Sequence, residues 1–160
     1  MQEPADATGP GLAWGVKASF VRYVTMGGGE VRVSPAAASV DGLVFFPLLD
    51  QGDFELATAR GTLRFGGSVR FTGHFGALDL MLAEPWLESD ERGAVVSVDT
   101  GATGRVPLVA LGPAETGVEG ELIVWRDIET RMLPEAGPLF NGVYGAGEPF
   151  DPATLRIRDL

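Results

Sequence analysis

Glycine and proline interrupt this chain too often for long helices to form. Its 160 residues include 23 glycines and 11 prolines, set between short apolar runs and not gathered into a linker. In a helix interior glycine costs about 1 kcal/mol and proline about 3 kcal/mol relative to alanine, yet both are ordinary turn residues. The runs VRV (31–33), GLVFFP (42–47), FELATA (54–59), TLRF (62–65), SVRF (68–71), LDLML (78–82), AVVSVD (94–99), ELIVW (121–125) and TLRIR (154–158) therefore predict strands. The expected fold is all-β dominated, an antiparallel β-sandwich or sheet with one or two short helices. Residues 1–11 read as a polar lead-in and 12–160 as a single domain, a length sufficient for one core.

With 45% hydrophobic residues the chain has apolar surface that it must bury, which argues against disorder. A formal charge of -10 excludes a general nucleic-acid binder, because phosphate neutralisation needs clustered Lys and Arg. The absence of cysteine removes disulfides, iron-sulfur clusters, thiolate-bound metal and cysteine nucleophiles together. Any metal ligand must come from His, Tyr, Met or carboxylate. No apolar run approaches the roughly 20 residues that span a bilayer. The opening MQEPADATGP lacks the basic and apolar parts of a signal peptide. The expectation is a soluble chain with no membrane insertion and no signal peptide or membrane anchor of its own.

Leu12 to Val24 places Ala13, Val16, Phe20 and Val24 at helical spacing, and Gly27 to Gly29 would stop the helix. On it Ser19 and Tyr23, four residues apart, would share a face and present a hydroxyl beside a phenol. Further on, Thr62–Phe65 and Val69–Thr72 predict a hairpin around Gly66, Gly67 and Ser68, with Leu63 opposite Phe71 and Phe65 opposite Val69. Continued alternation would put His74 on the same side as Arg70 and Thr72, unless Gly73 forms a bulge. The stretch LPEAGPLFNGVYGAG predicts a brief helical turn before Tyr144.

His74 is the one histidine, flanked by Gly73 and by Phe75-Gly76, where a flat ligand or a second backbone can approach closely. A lone strand histidine also serves as an ordinary hydrogen-bonded residue, and no second histidine exists for a zinc site. Tyr23 and Tyr144 are the two tyrosines, each near glycines. A buried ring with a wet hydroxyl accounts for either without a ligand, and Trp14, Phe20, Phe71, Phe75 and Phe140 read as core. Phosphate-loop, nucleophile-elbow and calcium-loop motifs are absent, and the many carboxylates single out no catalytic pair.

Three blocks carry a resemblance that composition does not. Trp14-Gly15-Val16-Lys17-Ala18-Ser19-Phe20-Val21-Arg22-Tyr23-Val24 resembles the opening motif of the HtaA haem-binding domain, a module of haem-uptake proteins in Gram-positive bacteria. FTGHFGALDL (71–80) and FNGVYGAGEPFDPATL (140–155) resemble that family's middle and closing blocks, in the same order and spanning most of the chain. The resemblance implies a β-rich fold binding haem b in the ferric state for acquisition, storage or relay, and not an enzyme. By position Tyr23 becomes the iron ligand and His74 the residue bonded to it. Ser19 falls where relatives have a serine near a haem propionate, Tyr144 is the closing-block aromatic, and Phe140 belongs to the pocket wall. Arg22, Arg64 and Arg70 are lesser candidates for the propionates. Val143 departs from the phenylalanine frequent in relatives. The resemblance also implies a secreted or cell-surface setting and protein donors or acceptors of haem, and leaves oligomeric state open. The alternatives are a haem-dependent peroxidase or haem-degrading enzyme, and an adhesive β-sandwich without cofactor.

Overall fold

The computed structural model describes residues 9–159. Its strands are β1 (Gly11–Trp14), β2 (Glu30–Val33), β3 (Ala38–Val40), β4 (Leu43–Asp50), β5 (Gly61–Phe65), β6 (Ser68–Gly73), β7 (Leu78–Asp90), β8 (Gly93–Asp99), β9 (Arg105–Leu111), β10 (Glu115–Glu119), β11 (Leu122–Met132) and β12 (Pro149–Arg158). One α-helix, α1 (Ala18–Met26), and two 3₁₀ segments, His74–Gly76 and Pro134–Phe140, complete the described elements. No helix is long and apolar enough to cross a membrane.

All twelve strands join one antiparallel sheet, and the sandwich expectation is corrected: the order β7-β5-β4-β1-β12-β11-β9-β8 returns to β7 through a β7–β8 pairing. Eight strands thus close a barrel, and β6 with β2 extend from β7 beyond it. Sandwiches and barrels share the same inward alternation, and only the full set of pairings, among them β1 with β12 across most of the chain, tells them apart. Directly paired residues share a face, so Leu63, Leu87, Val96 and Val109 line up across β5, β7, β8 and β9. Leu12, Phe46 and Leu155 do so across β1, β4 and β12. These side chains are buried and belong to one core cluster. An eight-stranded barrel is just wide enough to be filled by side chains.

Several local expectations are corrected. Leu12–Trp14 is a buried strand, so α1 starts only at Ala18, and Ala13 and Val16 lie outside it. Glycine at 11 already belongs to β1, while residues 1–8 of the expected lead-in lie outside the described residues. FELATA makes turns with a single Glu55–Arg60 bridge. The hairpin of 62–65 with 69–72 does not form. β5 and β6 instead run end to end along the same edge of β7, Leu63 pairing with Leu87 and Phe71 with Leu80.

Gly66 and Gly67 are therefore a kink within a continuous strand. The kink answers a bulge at Glu84 (φ 45), whose N–H donates to the Gly67 carbonyl at 2.8 Å. Across the bulge the buried face of β7 changes from Leu78, Leu80 and Leu82 to Pro85 and Leu87. Gly67 has φ 88, and a Cβ there would stand 2.5 Å from the Ala37 Cβ. Gly67→Ala is expected to lower stability by more than ~1 kcal/mol, as read from the midpoint of urea unfolding. In an open hairpin loop only the backbone penalty would remain, without the clash at Ala37.

Candidate functional site

Helix α1 lies on β2 and β6 through Phe20 and Val24, both buried. Its first N–H groups lack a side-chain cap from within the helix. The Asp151 carboxylate on β12 supplies one by accepting from the Ala18 N–H at 3.0 Å, an anion at the positive end of the helix. Ser19 and Tyr23 share the exposed face, as their spacing predicted. At the other end Gly29 packs so closely on β6 that a Cβ would meet the Thr72 carbonyl oxygen at 2.4 Å. Gly73 in turn faces the Gly29 Cα, and that approach brings the helix exit to the start of the β6–β7 turn.

His74 opens that turn, in a left-handed conformation (φ 51) followed by Phe75 (φ 55) and Gly76 (φ 91). It is not a strand residue, and the expected shared side with Arg70 and Thr72 is replaced by a projection from the hairpin tip. There the imidazole stands 5.2 Å from the Tyr23 ring, centroid to centroid, with the planes inclined by 40°. Phe75, expected in the core, is fully exposed at the tip.

The third wall comes from the 3₁₀ segment Pro134–Phe140 and the chain after it. Phe140 is buried and meets Phe20 edge to face at 5.1 Å. Tyr144 is half-buried against Phe140, Phe150 and Phe20. Burial holds the Tyr144 phenol above its usual range, a hydrogen bond from Ser19 opposes that shift, and the Glu148 carboxylate and Tyr23 add to it. Tyr144 is accordingly a neutral phenol.

Between these walls lies a cleft of roughly 380 Å³, lined by Phe20, Leu78 and Phe140 among apolar side chains and by Tyr23, His74, Asn141 and Tyr144 among polar ones. That size falls within the ~300–1,000 Å³ of small-molecule sites. Tyr23 is 56% exposed. Its hydroxyl has no hydrogen-bond partner among the described residues. The structure brings together Ser19, Tyr23, His74, Phe140 and Tyr144, with Val143 exposed at the lip. None of the three arginines lines the cleft: Arg22 is exposed on α1, Arg70 is held by Asp79 at 2.6 Å and Arg64 lies over Trp86. No group of three or more His, Cys, Asp or Glu able to hold a metal occurs among the described residues.

The HtaA family model matches residues 9–156. The chain belongs to the HtaA family. Among solved structures it is similar to the C-terminal domain of HtaA from Corynebacterium glutamicum, at 20% identity over 91% of this chain and 93% of that one, with a TM-score of 0.77. The N-terminal domain of the same protein is similar at 21% identity, covering 99% and 100%, with a TM-score of 0.70. The haem-binding protein HtaB from that organism follows at 17% identity, covering 92% and 91%, with a TM-score of 0.72. No curated protein matches the chain. At these identities the structures establish the shared fold.

Nothing in the sequence singles out Lys17, yet it is buried with its ammonium beneath Tyr144. A lysine immediately before a helix is unremarkable in a sequence, and only the returning β12 reveals its surroundings. A direct check of the site's electrostatics uses the fact that the chain has two tyrosines. In a Tyr23→Phe background Tyr144 is the sole phenol, and Ser19→Ala should push its ionisation further up because the opposing hydrogen bond is gone. Absorbance-monitored alkaline titration reads the shift.

Proposed function

We propose that the cleft binds haem b in the ferric state, with Tyr23 as the iron ligand and His74 supporting the Tyr23 oxygen. The observation that carries this reading is the pairing of an unspent phenol with an imidazole at the mouth of an apolar cleft. The residues present fit the group. When bound, it supplies a ferric iron, a hard acceptor that favours an anionic oxygen donor. Tyr23 offers the exposed oxygen. Tyr144, half-buried, hydrogen-bonded by Ser19 and held in its neutral form, is the less suitable donor and serves as a wall. His74 is close enough to Tyr23 to direct a ring N–H toward the phenol oxygen and favour its ionised form. Phe20 and Phe140 form an apolar base that excludes water. Ser19, exposed next to the cleft, is the candidate for a propionate, to which its hydroxyl would donate in place of Tyr144.

Membership in the HtaA family supports the reading, as does similarity to HtaB, a haem-binding protein. We extend it to haem uptake at the cell surface or outside the cell, with other haem-binding proteins as donors or acceptors. An enzymatic role is less well supported, since no carboxylate and no second imidazole lines the cleft to act as an acid-base group over an open iron face.

Titrating the purified protein with hemin and recording its absorption spectrum tests the assignment. Wild type should develop tyrosinate charge-transfer bands. Tyr23→Phe should lose them with most of its hold on haem, while Tyr144→Ala keeps the bands and holds haem less firmly. Unchanged bands in Tyr23→Phe would refute Tyr23 as the ligand. For His74, a hydrogen bond to a charged group is worth about 1.5–3 kcal/mol, so His74→Ala should speed haem transfer to apomyoglobin by on the order of ten- to a hundredfold. Bands that turn from nitrogen-coordinated to tyrosinate in that variant would make His74 the ligand instead.

A further inference from the structure

Lys17 is an unusual residue to bury. An ammonium taken out of water is costly unless it is paired and hydrogen-bonded. Here its Nζ donates to the Pro149 carbonyl at 2.8 Å and lies 3.2 Å from a Glu148 carboxylate oxygen. The same ammonium lies 5.1 Å from the centroid of the Tyr144 ring and 5.5 Å from that of Phe150. One cation thus contacts two backbone-adjacent anchors and two aromatic faces of the segment that closes the cleft.

The neighbouring contacts fix Lys17 itself. The Asp151 N–H donates to the Val16 carbonyl at 2.9 Å, and the Asp151 carboxylate accepts from Ala18. Lys17 therefore sits where the start of α1 is stitched to the start of β12. Tyr23 and Ser19 are carried on α1, and Tyr144 lies five residues before Pro149 in the chain that enters β12. Glu148 and Gly147 are tied to Met132 by backbone hydrogen bonds, whereas Val143 at the lip is exposed.

We propose that Lys17 is a positioning residue of the cleft, an ammonium clamp that fixes the Tyr144 wall against the helix presenting Tyr23 and Ser19. It touches neither the iron nor the cleft interior. Its effect passes through Tyr144, whose ring it supports from below, and through Glu148, which it tethers. The inference rests on the haem reading for its functional consequence, while the clamp itself exists in the protein without ligand.

The test therefore has a ligand-free arm and a haem arm. Hydrogen exchange of the protein alone should show faster exchange at the Gly142, Val143 and Glu148 amides in Lys17→Met, with the barrel strands unchanged and Lys17→Arg close to wild type. In the haem arm Lys17→Met should transfer haem to apomyoglobin about tenfold faster, equivalent to about 1.4 kcal/mol, with its tyrosinate bands kept. Glu148→Gln, which leaves the ammonium in place, should move both readouts the same way by less, and it serves if Lys17→Met does not fold. Unaltered exchange in both variants overturns the clamp, as does a uniform rise across the barrel, which would make Lys17 merely structural. Altered exchange without tyrosinate bands in wild type leaves the clamp standing and overturns the haem reading instead.

Discussion

The arrangement depends on one strand that serves three partners. β7 pairs with β6 along Leu78–Ala83, with β5 beyond the bulge at Glu84, and with β8 from Ala83 onward. Without that bulge the face burying Leu80 and Leu82 would point Leu87 to solvent, because the side-chain period of a strand is two. The extra residue lets the far half of β7 close the barrel while the near half leaves it with β6. That projecting ladder carries His74 to a place where no barrel strand could.

The cleft lies outside the barrel. The barrel interior is lined by the buried Leu12, Phe46, Leu63 and their paired neighbours, while Tyr23, His74 and Tyr144 are carried by elements appended to it. There are three of them: helix α1, the β6–β7 turn and the segment from Phe140 to Glu148. They meet through an aromatic seam, Phe71 and Phe140 each packing edge-on to Phe20 and Phe150 lying against Phe140 and Tyr144. Edge-to-face contacts add about 0.5–1.5 kcal/mol each to the burial of the rings. The base of the cleft is thus a continuation of the core and its polar groups are additions at the rim.

How much of this could be read in the sequence varied with the range of the interactions responsible. Short apolar runs between glycines gave most strands correctly, and the i,i+4 spacing gave the shared face of Ser19 and Tyr23, because both depend on neighbours a few residues apart. The start of α1 is not legible because Leu12–Trp14 also fits a helical stripe, and its strand state comes from pairing with β4 and with β12 at the far end of the chain. The Gly66-Gly67-Ser68 stretch looked like a hairpin loop because a turn and a bulge-matched kink use the same residues. Barrel closure and the role of Lys17 each rest on contacts more than a hundred residues apart or between nonadjacent strands, which periodicity does not encode. The site residues were brought together from family blocks and not from spacing.

The turn that aims His74 shows why a ladder was needed behind it. Three successive residues with positive φ, two of them bearing Cβ atoms, are unfavourable, and a non-glycine residue there costs on the order of 1 kcal/mol. The cost is met by the register on either side: Gly73 pairs with Leu78, Thr72 with Asp79, and Arg70 forms a two-point ion pair with Asp79. With the backbone so constrained, the turn fixes the direction in which the His74 Cα–Cβ bond leaves it. The same geometry expels Phe75 into solvent, the opposite of what its hydrophobicity alone would suggest. In the hydrogen bond proposed to the Tyr23 oxygen, an imidazole on so constrained a backbone would lose little freedom, and a bond formed by an already ordered group keeps more of its strength.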